Sequence, residues 1–141
     1  NAVYLARKQN LSVTEAVTDT SSKAGYDKQV APKVMIQSTN SSVLLKFKEK
    51  TKYELVYKID EIVRDAVDSA IWDIKRFAHS VVVKKASVYP NCEHFVIGST
   101  KIVPNFKSSY LSIYGEIFSN EFESQAWDFM SDATVEINTF V

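Results

Sequence analysis

Cys92 is the only cysteine in the chain and lies two residues before His94, one of two histidines, in the stretch Tyr89-Pro90-Asn91-Cys92-Glu93-His94-Phe95. A thiol next to an imidazole is a starting point for nucleophilic catalysis, but it needs the base within hydrogen-bond reach and a third group to orient that base. On an extended strand Cys92 and His94 share a face while Glu93 points to the other, where it cannot orient the ring. Pro90-Asn91 is a turn signal, so the stretch reads as the junction of two strands and not as an active site. A metal site fares no better. His79 is the only other imidazole, it falls at the far end of the expected hairpin, and neither Cys-x-x-Cys nor His-Glu-x-x-His spacing occurs.

The carboxylates Asp60, Glu61, Asp65 and Asp68 are interleaved with Lys58, Arg64 and Lys75. At those spacings they read as a solvated helix face. No glycine-rich phosphate loop and no Gly-x-Ser-x-Gly elbow is found. The expectation is a chain without catalytic, cofactor or metal residues. The aromatic residues are more suggestive: Tyr110, Tyr114 and Phe118 recur on one face of an expected strand, and Trp127 follows in an expected short helix. Tyr and Trp supply much of the binding energy at interfaces, so these four form the candidate interaction surface, for a protein partner, for self-association or for a small apolar ligand.

The elements that would position these groups follow from periodicity. Residues 1–29 read as an N-terminal arm or short helix plus a polar connector with a bend at Gly25, and 30–141 as a single domain. Val34 and Ile36, then Val43, Leu45 and Phe47, alternate as in a hairpin. Over 52–78, Val56, Ile59, Ile62, Val63, Ala66, Val67, Ala70, Ile71, Ile74 and Phe77 recur every three or four residues. That spacing predicts one long amphipathic helix opened by a Thr51/Glu54 capping box, with Glu54/Lys58 and Asp60/Arg64 pairs on its surface. Strands are then expected over 80–89, 94–103 and 108–118, a short helix over 120–129 started by Asn120 and Glu123, and a last strand with Val135, Ile137 and Val141 on one face.

The resulting order, β-β-α-β-β-β-α-β, predicts an α+β fold in which a curled antiparallel sheet of about five to six strands packs against the long helix. The composition suits a folded domain, with 45% hydrophobic and 24% charged residues over 141 positions. Charge is neutral in sum but polarised. Residues 1–107 hold all 17 bases and carry an excess of +6, while 108–141 hold six acids and no base. The expected consequence is that the acidic end folds back beside basic strands, and the lack of net basicity argues against nucleic acid. No apolar run reaches the length of a membrane span. The chain opens Asn-Ala and not with Met, which suggests an upstream signal or anchor and favours an extracytoplasmic setting. Asn10-Leu11-Ser12 and Asn40-Ser41-Ser42 are glycosylation sequons that matter only in a secreted eukaryotic protein. The function these features predict is a non-enzymatic protein-binding or assembly domain. A carrier of a small apolar ligand in a cleft between sheet and helix is the first alternative, and a small enzyme the second.

Overall fold

The computed structural model describes residues 4–5, 8, 12–28, 34–118, 126–130 and 132–140. Its first full element is α1 (Val13–Lys23), started by Ser12, whose side chain accepts from the Glu15 amide. This helix runs from the expected arm or short helix into the first half of the polar connector. Gly25, at φ +80°, makes the bend expected of it.

The centre of the fold is a four-stranded sheet built from β1 (Met35–Ser38), β2 (Glu54–Lys58), β3 (Ser80–Lys84) and β6 (Ser112–Glu116), in that spatial order. Every pairing in it is parallel. Helices α2 (Ser41–Lys50), α3 (Asp68–Lys75) and α5 (Ile102–Ser108) lie in the connections between successive strands. Parallel neighbours require such crossovers, since a tight hairpin can only return the chain antiparallel. The fold is therefore of the α/β kind, and the expected α+β fold with a curled antiparallel sheet is overturned.

The reasons are local. Residues 41–50, read as the second strand of a hairpin, form a helix because Asn40 caps it: its Oδ1 accepts from the Ser42 amide at 2.9 Å. Leu44 and Phe47, three residues apart, are then buried together against Leu55, with Ile36 and Val43 packed alongside. The supposed strand residue Leu45 is exposed.

The long helix over 52–78 does not exist. Thr51 is the C-cap of α2, with its hydroxyl on the Phe47 carbonyl, and so opens no capping box. Glu54–Lys58 is a strand with Leu55 and Val56 buried on opposite faces. Residues 59–67 form a connection, and only Asp68–Lys75 is helical. Glu54 accepts from the Ser80 hydroxyl at 2.8 Å and makes no pair with Lys58. The ligand-carrying cleft expected beneath the long helix disappears with it.

The sheet has two unlike faces. Ile36, Leu55, Tyr57, Val81, Val83 and Ile113 share one face by register, and there α2, α3 and α5 contribute Leu44, Phe47, Ile71, Ile102 and Phe106 to the core. Burying side chains of this size contributes about 1.5–3 kcal/mol each. The other face carries Met35, Gln37, Glu54, Val56, Lys58, Ser80, Val82, Lys84, Ser112, Tyr114 and Glu116. Among the described residues no helix contributes a core residue to this face, which is uncovered in that sense, although its central residues Val56, Ser80 and Val82 are buried between their neighbours.

After β3 the chain makes the one-turn helix α4 (Lys85–Val88) and a minimal antiparallel hairpin of β4 (Asn91–Cys92) and β5 (Phe95–Val96). The expected strand over 94–103 is reduced to two residues, followed by α5. The last described element, α6 (Ala133–Thr139), replaces the expected terminal strand. Asp132 caps it through the Thr134 amide at 2.8 Å, and Val135 and Ile137 are exposed. The helix expected over 120–129 falls mostly outside the described residues. Its end is a 3-10 turn, Trp127–Phe129.

Candidate functional site

In sheets of parallel strands, ligands bind beyond the carboxyl ends of the strands, where the loops are free to carry chemistry. Here that end of the uncovered face is charged. Lys58 closes β2, Lys84 closes β3 and Glu116 closes β6. By register, Lys58 lies level with Val82 and Tyr114, one step before the pair Lys84 and Glu116.

The Lys58 ammonium reaches diagonally across β3 to Glu116 Oε2 at 3.0 Å and also lies 3.6 Å from Asp60 Oδ1. The hydrogen bond from Lys58 to Glu116 raises the lysine pKa above its ordinary value. Partial desolvation opposes this, and the charges of Glu116 and Asp60 add to the rise. Lys58 is therefore a fixed cation at neutral pH. Glu116 keeps its second oxygen, Oε1, buried and without a hydrogen-bond partner. Beside it an open concavity of about 330 Å³ is lined by Met35, Gln37, Val56, Val82, Tyr114, Gly115 and Glu116. The arrangement offers an anion a partly exposed lysine beside a floor of two valines.

The residues picked from the sequence are dispersed. Tyr110 is 89% exposed and stands in a left-handed turn before β6, at φ +58°. Lys75 lies 5.5 Å from its ring centroid and 5.3 Å from that of Trp72. Tyr114, 42% exposed, is on the uncovered face. Phe118 lies beyond the strand, edge-on to Phe140 at 5.0 Å. Trp127, 56% exposed, stacks on His94 at 5.5 Å and meets Phe95 edge-on. The shared aromatic face fails because β6 is only five residues long and left-handed residues, Tyr110 and Ile117, flank it.

Cys92 is exposed. Glu93 and His94 form the hairpin turn, both at positive φ, so Cys92 and His94 do not share the strand face expected of them. His79 accepts the Leu55 amide on Nδ1 at 3.1 Å and serves the backbone. Among the described residues no three of His, Cys, Asp and Glu gather closely enough to hold a metal ion.

Neither Lys58 nor Glu116 belongs to the candidate surface expected from the sequence. The usable signal was the form of three runs, Glu54-Leu55-Val56-Tyr57-Lys58, Ser80-Val81-Val82-Val83-Lys84 and Ser112-Ile113-Tyr114-Gly115-Glu116, each ending in a charge. The last residues of parallel strands mark the edge where ligands bind.

No family model matches the chain. Curated proteins of Arabidopsis thaliana do resemble it. Glycerophosphodiester phosphodiesterase GDPDL1 is 55% identical over 142 positions, which cover all of this chain and 19% of GDPDL1. Glycerophosphodiester phosphodiesterase GDPDL3 is 52% identical over 141 positions, again all of this chain and 19% of the relative. Protein SUPPRESSOR OF NPR1-1 CONSTITUTIVE 4 is 45% identical over 142 positions, all of this chain and 13% of its own length. The chain thus spans about a fifth or less of the curated relatives it matches. Similarity along all of the chain to proteins named for an enzymatic activity overturns the expectation of a non-enzymatic binding or assembly domain. The absence of a recognisable catalytic motif, on which that expectation rested together with the polarised charge and the aromatic strand, is no guide in a chain matching so small a share of its relatives.

Proposed function

We propose that this chain is part of a phosphodiesterase acting on glycerophosphodiesters, and that it supplies the substrate-facing carboxyl end of a parallel sheet. The similarity to two proteins so named over the full chain supports the reading. The observation that carries it to particular residues is the Lys58–Glu116 bridge on the uncovered face. A phosphodiester is a monoanion that a cation at a strand end can hold, and interactions that strengthen as charge builds on the phosphoryl oxygens accelerate the reaction. The test is hydrolysis of glycerophosphocholine by the intact protein that carries this sequence, with release of glycerol 3-phosphate followed enzymatically. Lys58→Met is expected to reduce kcat/KM by about tenfold or more, the value of a charged hydrogen bond. An intact protein that hydrolyses no glycerophosphodiester would reject the reading.

A further inference from the structure

Resting on that reading, we infer that Trp127 and Phe95 form a subsite for a quaternary ammonium on the substrate's alcohol, so that diesters of choline type are preferred to those with uncharged alcohols. Topology places the two rings. The hairpin of β4 and β5 follows β3 through α4, and the turn at Trp127 follows β6, the neighbour of β3. Both therefore lie in connections that leave the carboxyl ends of the strands, where parallel sheets take their ligands. Two hydrogen bonds fasten hairpin to turn: the Trp127 amide donates to the His94 carbonyl at 2.7 Å, and the Val96 amide donates to Asp128 Oδ2 at 2.6 Å. His94 lies nearly parallel to the indole, at 10° and 5.5 Å, and Phe95 meets it at 76° and 5.2 Å. Rings locked between two loops are usually closing a core. Here the indole is 56% exposed and Phe95 is half exposed, so the ring surface is held in a fixed pose and presented to solvent.

Charge selects the occupant. Residues 90–100 contain one carboxylate, Glu93, and no lysine or arginine, and residues 126–132 contain Asp128 and Asp132 and again no base. Glu93 and Asp128 adjoin the stacked pair His94 and Trp127 in sequence and are exposed. Such a surface repels a second phosphate and attracts a cation. A quaternary ammonium has no N–H to satisfy, so aromatic faces suit it as carboxylates suit its charge. The chain has two tryptophans. Trp72 already has the Lys75 ammonium 5.3 Å from its ring centroid, whereas none of the described residues brings a cation over Trp127. Its ring is the one left for a cation from a ligand.

The experiment compares glycerophosphocholine with glycerophosphoglycerol, whose alcohol is uncharged, in the intact protein. Trp127→Leu, at an exposed position, is expected to lower kcat/KM for glycerophosphocholine by about 3- to 30-fold, the range for a cation on an indole face. It should change kcat/KM for glycerophosphoglycerol by no more than about twofold. Trp127→Phe keeps a weaker aromatic face and should fall between wild type and Trp127→Leu. Equal changes on both substrates would overturn the assignment.

A measurement on the wild type needs no variant to fold. Choline should bind more tightly by calorimetry than 3,3-dimethylbutan-1-ol, its uncharged isostere, by about threefold or more, and equal binding of the two would also overturn the subsite. If the wild type hydrolyses neither diester yet prefers choline to the isostere in a Trp127-dependent manner, the phosphodiesterase reading fails and the cation subsite stands. If it hydrolyses both diesters and Trp127→Leu leaves the preference between them intact, the reading stands and the subsite falls.

Discussion

Glu136 is the most deeply buried charge among the described residues, 2% exposed, with Oε1 2.7 Å from the Lys85 ammonium and Oε2 unbonded. It joins α6 to α4, the turn that leaves β3. Lys85→Met keeps the length and apolar stem of the lysine and removes its charge. At an effective dielectric of about 20 the attraction at this distance is roughly 6 kcal/mol, a gross figure from which solvation of the freed group is regained. Removing one partner of a buried pair also leaves the other charge buried and uncompensated. The expected loss is therefore about 3–4 kcal/mol, in line with the cost of stripping one partner from a buried pair. The readout is amide hydrogen exchange in the intact protein, over peptides covering 133–140 and 80–89. A loss of that size speeds exchange through local opening by about 150- to 1000-fold. Lys85→Met/Glu136→Leu, which removes both charges, should recover at least half of the protection. A single variant whose exchange rises less than about fivefold (~1 kcal/mol), or a double variant no better protected than the single one, would refute the reasoning.

Phe106 is 1% exposed beneath β3 and β6, so Phe106→Ala should cost about 3–5 kcal/mol. Faster exchange across 102–108 and 80–84 would show it, whereas Leu45→Ala on the exposed side of α2 should change little. The Glu15 carboxyl is held below its ordinary value by its hydrogen bond to Lys50 and then by that charge. This pair links α1 to α2, and its contribution is present above the unfolded glutamate value and fades as pH falls through the folded one. A carbon-detected titration should place the Glu15 midpoint below that of a free glutamate, and Lys50→Met should return it; an unchanged midpoint in the variant argues against the pair. At the hairpin tip, Glu93→Asn should slow exchange at Val96 by about twofold, because asparagine tolerates the left-handed region better. Faster exchange would contradict the turn geometry.

What could be read from the sequence divides along physical lines. Val81, Val82 and Val83 announced β3, because a β-branched run resists helix and suits a strand buried on both faces. β6 was visible for a different reason, the alternation that in the sequence puts Tyr110, Tyr114 and Phe118 on one face. The stretch over 52–78 misled because a two-sided strand also fits a helical template: Leu55 and Val56 are adjacent, one for each face. The connection then adds Ile59, Val63 and Ala66, which pack on the core without being helical, and the spacing of three and four runs on into the true helix at Asp68. Period alone does not separate these cases. The aromatic flanks Tyr53 and Tyr57 and the final lysine would have done so. In α6, alternation suggested a strand, and the buried residue is the charged Glu136 between the two apolar ones, a burial that only its partner Lys85 makes tolerable.

The polarised charge along the chain and the uncovered sheet face have a common explanation in the parallel topology. A parallel sheet brings every carboxyl strand end to one edge, however far apart the strands lie in sequence. Lys58 belongs to the base-rich stretch and Glu116 to the stretch without bases, yet they close strands separated only by β3. Lys85 and Glu136 repeat the pattern one layer beyond the strand ends, at 2.7 Å. Of the two pairs, Lys85 and Glu136 are closed off, with the carboxylate almost fully buried, and the perturbation expected there is structural. Lys58 and Glu116 keep 28% and 20% of their side chains exposed and border an open concavity. The same electrostatic joint is thus used once to fasten the chain and once where a ligand can reach it. Substitutions at Lys85 should register in hydrogen exchange before they register in hydrolysis, and substitutions at Lys58 in the reverse order.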